Sequence, residues 1–226
     1  MNTTIIDNHS PYKADEQRAI SSHVVRIMAA VALMLGLGWS SAAAQPTPLR
    51  HSVPPVPPSL EVPEGHEVFL AGYAIGTQNY ICIPAGTGVM WRFLGPQATL
   101  FRPSTGDVWQ QLTTHFLSAN PSEMTARPTW QHSLDSSRVW GRVKAASSDP
   151  SVVESGAIDW LLVEAAGVAV GPIGGGVLAQ TTFIHRLNTS GGIAPATGCS
   201  DVSQVGTLAL VPYSTDYFFY RASRAR

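Results

Sequence analysis

The chain of 226 residues has 14 lysines and arginines against 15 aspartates and glutamates, a formal charge of −1, and only 13% of its residues are charged. After residue 44 Lys144 is the only lysine, and the arginines are scattered apart from Arg221, Arg224 and Arg226. A phosphate-neutralising nucleic-acid surface and a polybasic membrane contact are therefore not expected.

The chain opens with a polar stretch and then the apolar run 27–38, IMAAVALMLGLG. Arg18 and Arg26 precede this run, and Ser40-Ser41-Ala42-Ala43-Ala44 follows it. Ala42 and Ala44 supply the small side chains that a signal peptidase requires, so residues 1–44 are expected to be a signal peptide and Gln45 the first mature residue. The run is too short to cross ~30 Å of hydrocarbon as an anchor. The reading is a secreted protein, periplasmic or extracellular, with no transmembrane span after cleavage. Residues 45–63 contain seven prolines. Proline fixes φ and lacks the amide proton of a helix or sheet ladder, which predicts an extended, poorly packed linker.

From residue 64 to 222 a single β-rich domain is expected. Strand-like runs cover 67–74, 79–83, 89–94, 98–101, 110–117, 127–132, 138–145, 158–166, 177–187 and 217–221. A turn is expected at Gly76-Thr77-Gln78, between the first two. Apolar runs at this spacing, separated by Gly, Pro, Asn or Ser, predict an all-β fold: an antiparallel β-sandwich or barrel-like domain with long loops. The stretch 159–166, DWLLVEAA, fits a strand or a helical turn or two, because periodicity does not separate them. Cys82 and Cys199 are the only cysteines. In an oxidising compartment such a pair is expected to form a disulfide; two unpaired core thiols are the alternative.

Many catalytic signatures are missing: G-x-S-x-G, H-E-x-x-H, a phosphate-binding G-K-[ST] and C-x-x-C. Gly171-Pro172-Ile173-Gly174-Gly175-Gly176 resembles a phosphate loop, but a β-like segment follows it rather than a helix, so it reads as a hairpin loop. His66, His115, His132 and His185 lack the local spacing of metal ligands, and neither a metal nor a cofactor is expected. The stretch 113–141 places His115, Trp130, His132, Asp135, Ser136 and Ser137 close in sequence. A carboxylate orienting an imidazole beside a hydroxyl is the material of acid–base or nucleophilic chemistry, which makes His115, Asp135 and His132 the catalytic candidates. The competing reading is a turn in which the Asp135 side chain accepts from the following backbone.

GYAIGTQNYIC, PQATLF, THF followed by PTW, Asp135-Ser136, GAIDWLLVEA, TTFIHRLNTSGGIAPATGC and VPYSTDYFFYR, spread over about 64–221, together resemble the domain of unknown function 3455 family. Many of that family's proteins carry secretion signals. The resemblance places its recurring polar positions on Gln78, Tyr80, Cys82, His115, Trp130, Asp135, Arg186, Asn188, Thr189, Cys199, Asp216 and Tyr220. The insertion SANPSEMTAR departs from the family pattern, in which the histidine and P-T-W lie closer together. The family implies no reaction.

Two functions compete at this stage. One is a non-catalytic binding or envelope-associated module with a cell-envelope or extracellular glycan as partner. Its ligand candidates are Gln78, Tyr80, Trp130, Arg186 and Asn188, and exposed aromatics such as Trp109, Trp130 or Tyr73 would form the contact surface. The other is a secreted hydrolase or metal-dependent enzyme using a His/Asp site.

Overall fold

The computed structural model describes residues 52–104 and 108–224. Its strands are β1 (His66–Ala85), β2 (Gly88–Pro103), β3 (Trp109–Asn120), β4 (Thr125–His132), β5 (Arg138–Ser147), β6 (Trp160–Ala169), β7 (Phe183–Gly191) and β8 (Leu208–Ala222). They pair antiparallel in chain order, and β8 returns to β1 to close a barrel. Closure removes both sheet edges. The signal peptide read at 1–44 lies outside the described residues. No helix among the described residues is long and apolar enough to cross a membrane.

Several elements are longer than their apolar runs. β1 runs unbroken through Gly76-Thr77-Gln78, where a turn was expected. The glycine serves a close approach instead: a Cβ there would overlap the Gln97 carbonyl oxygen and Ala98 on β2. The runs 89–94 and 98–101 join as β2, with a register shift opposite Asn79 and Tyr80. Residues 160–169 form a strand and not a helical turn. The run 177–187 divides into a 3-10 turn, Leu178–Gln180, and the start of β7. β8 begins nine residues before the expected 217, at Leu208.

Alternation sorts the side chains into two layers. Leu70, Leu100, Leu112, Val139, Ile184 and Phe219 pack inside the barrel. Leu162, Phe183, Leu187, Phe218 and Tyr220 face outward into a second apolar cluster with Leu60, Val153 and Trp160. The described part of the stretch expected to be a poorly packed linker, residues 52–63, packs against this outer face. Val53, Val56 and Val62 lie against the cluster, and Leu60 is fully buried. Its backbone is tied as well, since the Leu60 carbonyl lies 2.7 Å from His185 Nε2. Where β6, β7, β8 and β1 are buried on both faces, their runs lose the one-sided alternation that marks a strand.

An up-and-down barrel places alternate connections at opposite ends. The β4–β5 and β6–β7 connections close one end, where Leu178 enters the interior core. The long β5–β6 and β7–β8 connections lie at the other end, and Cys82 on β1 is disulfide-bonded there to Cys199 in the β7–β8 connection.

Candidate functional site

The His132–Asp135 pair belongs to the closed end. Asp135 Oδ1 accepts from Ser137 N at 2.9 Å and Ser137 Oγ at 2.7 Å, and lies 3.0 Å from His132 Nδ1. Asp135 Oδ2 accepts from Val177 N at 2.9 Å, and Leu178 N donates to Ser137 Oγ at 3.0 Å. The Asp135 carboxylate therefore pins the β6–β7 connection to the β4–β5 turn. Burial pushes its pKa upward, but the donors from Val177 and Ser137 outweigh this and hold it at about 2. The turn reading of Asp135-Ser136-Ser137 describes this geometry. The loop Gly171–Gly176 lies between antiparallel β6 and β7 and packs on the same turn. Side chains at Gly171 or Gly175 would overlap the Asp135 carbonyl or carboxyl group. Asp135→Ala should strand several buried donors and lower the unfolding free energy by about 3 kcal/mol, read as the urea midpoint multiplied by the slope. An unchanged midpoint would remove Asp135 from this role.

His115 lies elsewhere. It forms no hydrogen bond with Asp135, and Asp135 is not among the residues lining the cavity that His115 lines. Its Nδ1 donates to the Thr129 carbonyl at 3.0 Å, leaving Nε2 as the unprotonated nitrogen, and its ring stacks on Trp130 with centroids 4.1 Å apart. Burial drives its pKa down to about 3; the Thr129 carbonyl opposes this and the Arg186 charge adds to it. His115 is thus a neutral imidazole in the barrel wall.

Register brings His115 into one belt with residues distant in sequence. Ala98 pairs with His115, His115 with Trp130, Leu161 with Arg186, and Arg186 with Tyr217. His115, Trp130, Leu161, Arg186 and Tyr217, with Gln78 and Tyr80 of β1, line a cavity of about 400 Å³. Phe93, Pro96, Val143 and Val163 supply apolar wall, while Ile158, Asp159, Ile193 and Ala194 contribute from the two long connections. Among the contacts that hold the second of these are the disulfide, Tyr80 Oη donating to the Gly192 carbonyl at 2.7 Å, and Trp91 Nε1 donating to the Thr197 carbonyl at 3.3 Å.

Three residues that line this cavity each carry a buried polar atom without a partner. Gln78 Nε2, Trp130 Nε1 and the Tyr217 hydroxyl are buried without a hydrogen-bond partner among the described residues. Gln78 is 2% exposed, and Trp130 and Tyr217 are each 1% exposed. The Tyr213 hydroxyl, also buried, is unpaired too. Tyr213 lies beside Gln78 and Tyr217, and Tyr217 beside Arg186, close enough for weak side-chain hydrogen bonding to act on both phenols, but none of these contacts has the distance and angles of a full hydrogen bond. Burial raises the Tyr217 pKa, so its hydroxyl stays protonated; Arg186 pulls the other way.

Of the ligand candidates, Gln78, Tyr80, Trp130 and Arg186 line this cavity. Asn188 does not; its Nδ2 donates to Asp216 Oδ2 at 2.8 Å on an exposed part of β7. Trp130 is buried, contrary to its expected place on an exposed aromatic surface, whereas Trp109 and Tyr73 are exposed outside the cavity lining. Tyr213 and Tyr217 were missed as site residues. Their signal is the period-2 series Tyr213, Thr215, Tyr217, Phe219, all buried along β8. His66 packs edge-on against Phe183, and His185 bonds to Leu60 and Tyr220 in the outer cluster. Among the described residues no three His, Cys, Asp or Glu side chains gather as metal ligands.

Residues 63–221 match the model of the family described as protein of unknown function (DUF3455). No curated protein and no solved structure matches the chain.

Proposed function

The chain belongs to the DUF3455 family of proteins of unknown function, and from that premise we propose that it is an exported, non-catalytic binding protein holding a small organic ligand inside the barrel. The observation that carries this reading is an open cavity of about 400 Å³ lined by Arg186 and by Gln78, Trp130 and Tyr217, each of which has a buried donor without a partner. Burying an amide, indole N–H or hydroxyl without a partner costs about 1–3 kcal/mol each. A ligand acceptor that reached these donors by a small shift of their side chains would offset that cost, and eight-stranded barrels have room for one such ligand. Export is supported by the leader-like run at 27–38 and by the single long-range disulfide, which suits an oxidising compartment.

The closed floor selects among partners. A cavity sealed at one end admits a small molecule or the end of a chain, so an envelope or extracellular glycan would enter by its terminus. The hydrolase reading, a His/Asp site drawn from His115, Asp135 and His132, is less favoured: His115 forms no hydrogen bond with Asp135, and in the His132–Asp135 pair the carboxylate is already taken up by donors from Ser137 and Val177.

The test is an amide, indole and side-chain NMR titration of the mature protein with a fragment set of matched aromatic and aliphatic acids and amides. Compounds that bind should move the Trp130 Nε1–H and Gln78 Nε2–H resonances first. If no compound shifts either resonance, or if all shifts map to the outer face, the cavity is not a binding site.

A further inference from the structure

The chemistry of the cavity wall narrows the ligand class, on the premise that the cavity binds a ligand at all. Three of its lining residues, Gln78, Trp130 and Tyr217, carry a buried proton donor, at Nε2, Nε1 and Oη, without a full hydrogen bond. Arg186 adds a full positive charge. Its guanidinium donates through Nε at 3.1 Å and Nη2 at 2.9 Å to the main-chain carbonyl of Asp159, which occupies one edge of the fork. Nη1 makes no hydrogen bond among the described residues, and Arg186 has no carboxylate partner there. The outer edge, formed by Nη1 and the second proton of Nη2, remains open. A planar carboxylate matches such an edge with two parallel hydrogen bonds.

The carboxylate among the lining residues is that of Asp159, an exposed residue at the cavity rim, and it forms no ion pair with Arg186. A cationic ligand would thus meet Arg186 without a buried counter-charge. A neutral ligand would satisfy the Gln78, Trp130 and Tyr217 donors but would cover the guanidinium and leave it unpaired, which is unfavourable. Most of the remaining lining is apolar, from Phe93 and Pro96 across Val143 to Val163 and Ile193.

We infer that the barrel cavity is a site for a small organic monocarboxylate, its acid group on the open edge of Arg186 and the neighbouring donors, its apolar body against the wall between Phe93 and Val163. Arg186 is then the residue that selects the charge of the ligand, while the wall selects its bulk.

Matched pairs differing only at the acid group test this, for example 1-naphthoate against 1-naphthamide and octanoate against octanamide. Binding is measured by calorimetry and the NMR shifts named above. The wild-type protein should bind the acid of a productive pair about tenfold or more tightly than its amide. Arg186→Gln should collapse that ratio toward one, and Arg186→Lys should leave it intermediate because a point charge replaces the fork. Amides that bind as well as, or better than, their acids in wild-type protein overturn the carboxylate inference while leaving cavity binding intact. A preference that survives in Arg186→Gln overturns the role of Arg186. Failure of both members of every pair to bind removes the cavity reading itself, and this inference with it. The wild-type comparison needs no variant to fold.

Discussion

Breaking the Cys82–Cys199 bond should lower the unfolding free energy by about 4–5 kcal/mol, the chain-entropy value for so long a loop. The two residues are 117 apart in sequence, with Cα atoms 5.5 Å apart. Cys82 is fully buried at the far end of β1, and Cys199 lies in the connection that returns to β8. Part of that connection is held without the bond, since Gly206 N donates to the Cys82 carbonyl at 2.9 Å and Cys82 N to the Thr207 carbonyl at 2.9 Å. The barrel should therefore stay folded in mild conditions while the segment from Ile193 to Cys199 loosens. Ile193 and Ala194 line the cavity mouth, so reduction should weaken ligand binding as well as stability. Urea unfolding of the oxidised protein, the reduced protein and the Cys82→Ser/Cys199→Ser variant measures the first effect. Protease nicking within 193–199 measures the second. Equal midpoints for oxidised and reduced protein would show that the bond contributes nothing to the folded barrel.

Acid should unfold the protein partly through His115. Its pKa is about 3 in the folded barrel against 6.5 for a free imidazole. The native state thus binds fewer protons than the unfolded state between these values. The stability that the neutral ring provides is present in full above pH 6.5 and is lost as pH falls toward 3. At 1.36 kcal/mol per pKa unit, the loss is on the order of 2–3 kcal/mol by pH 4.5 and 4–5 kcal/mol by pH 3. Burial lowers the pKa of His185 too, so its contribution has the same sign in the upper part of the window, while Asp135, held at about 2, adds its loss only at lower pH. His115→Gln keeps a donor for the Thr129 carbonyl but cannot titrate. The variant should be less stable at neutral pH through lost stacking on Trp130, yet its stability should decline less between pH 7.5 and 4.5. Parallel declines in the two proteins would mean that His115 takes up its proton within the native barrel. The imidazole nitrogen shifts of His115 give a direct check, since they should not move above pH 4.

Both predictions depend on residues visible in the sequence; the role of the cysteines was legible there and that of His115 was not. The pairing of Cys82 with Cys199 followed from there being two cysteines, and the all-β class followed from short apolar runs broken by Gly and Pro. The turn at Asp135-Ser136-Ser137 was also legible, because an Asx side chain bonds its own following backbone and needs no distant partner. Local chemistry of this kind is carried by adjacent residues. Errors arose where a residue's environment came from elsewhere in the chain. Gly76 signalled a break in a single chain, yet in the barrel it relieves contact with Ala98 on the neighbouring strand. The proline-rich stretch, read alone, had no reason to pack; β6, β7, β8 and β1 give it an apolar face to cover.

The candidate site shows the same division. His115, Asp135 and His132 are near one another in sequence, and that proximity suggested one centre. Strand direction separates His115 from the other two: β3 and β4 pair His115 with Trp130 at the cavity, while the end of β4 and the β4–β5 turn hold His132 and Asp135 together at the closed end. Gln78, Trp130, Arg186 and Tyr217 span 140 positions of the chain, and only the register of β1, β4, β7 and β8 places them around one cavity. The amino-acid sequence alone determined the class of fold, the cysteine pair and the local turn, since these depend on composition and near neighbours. Which polar side chains are buried without partners was decided by the closed barrel, because burial and hydrogen bonding depend on strands that meet only after the chain has folded.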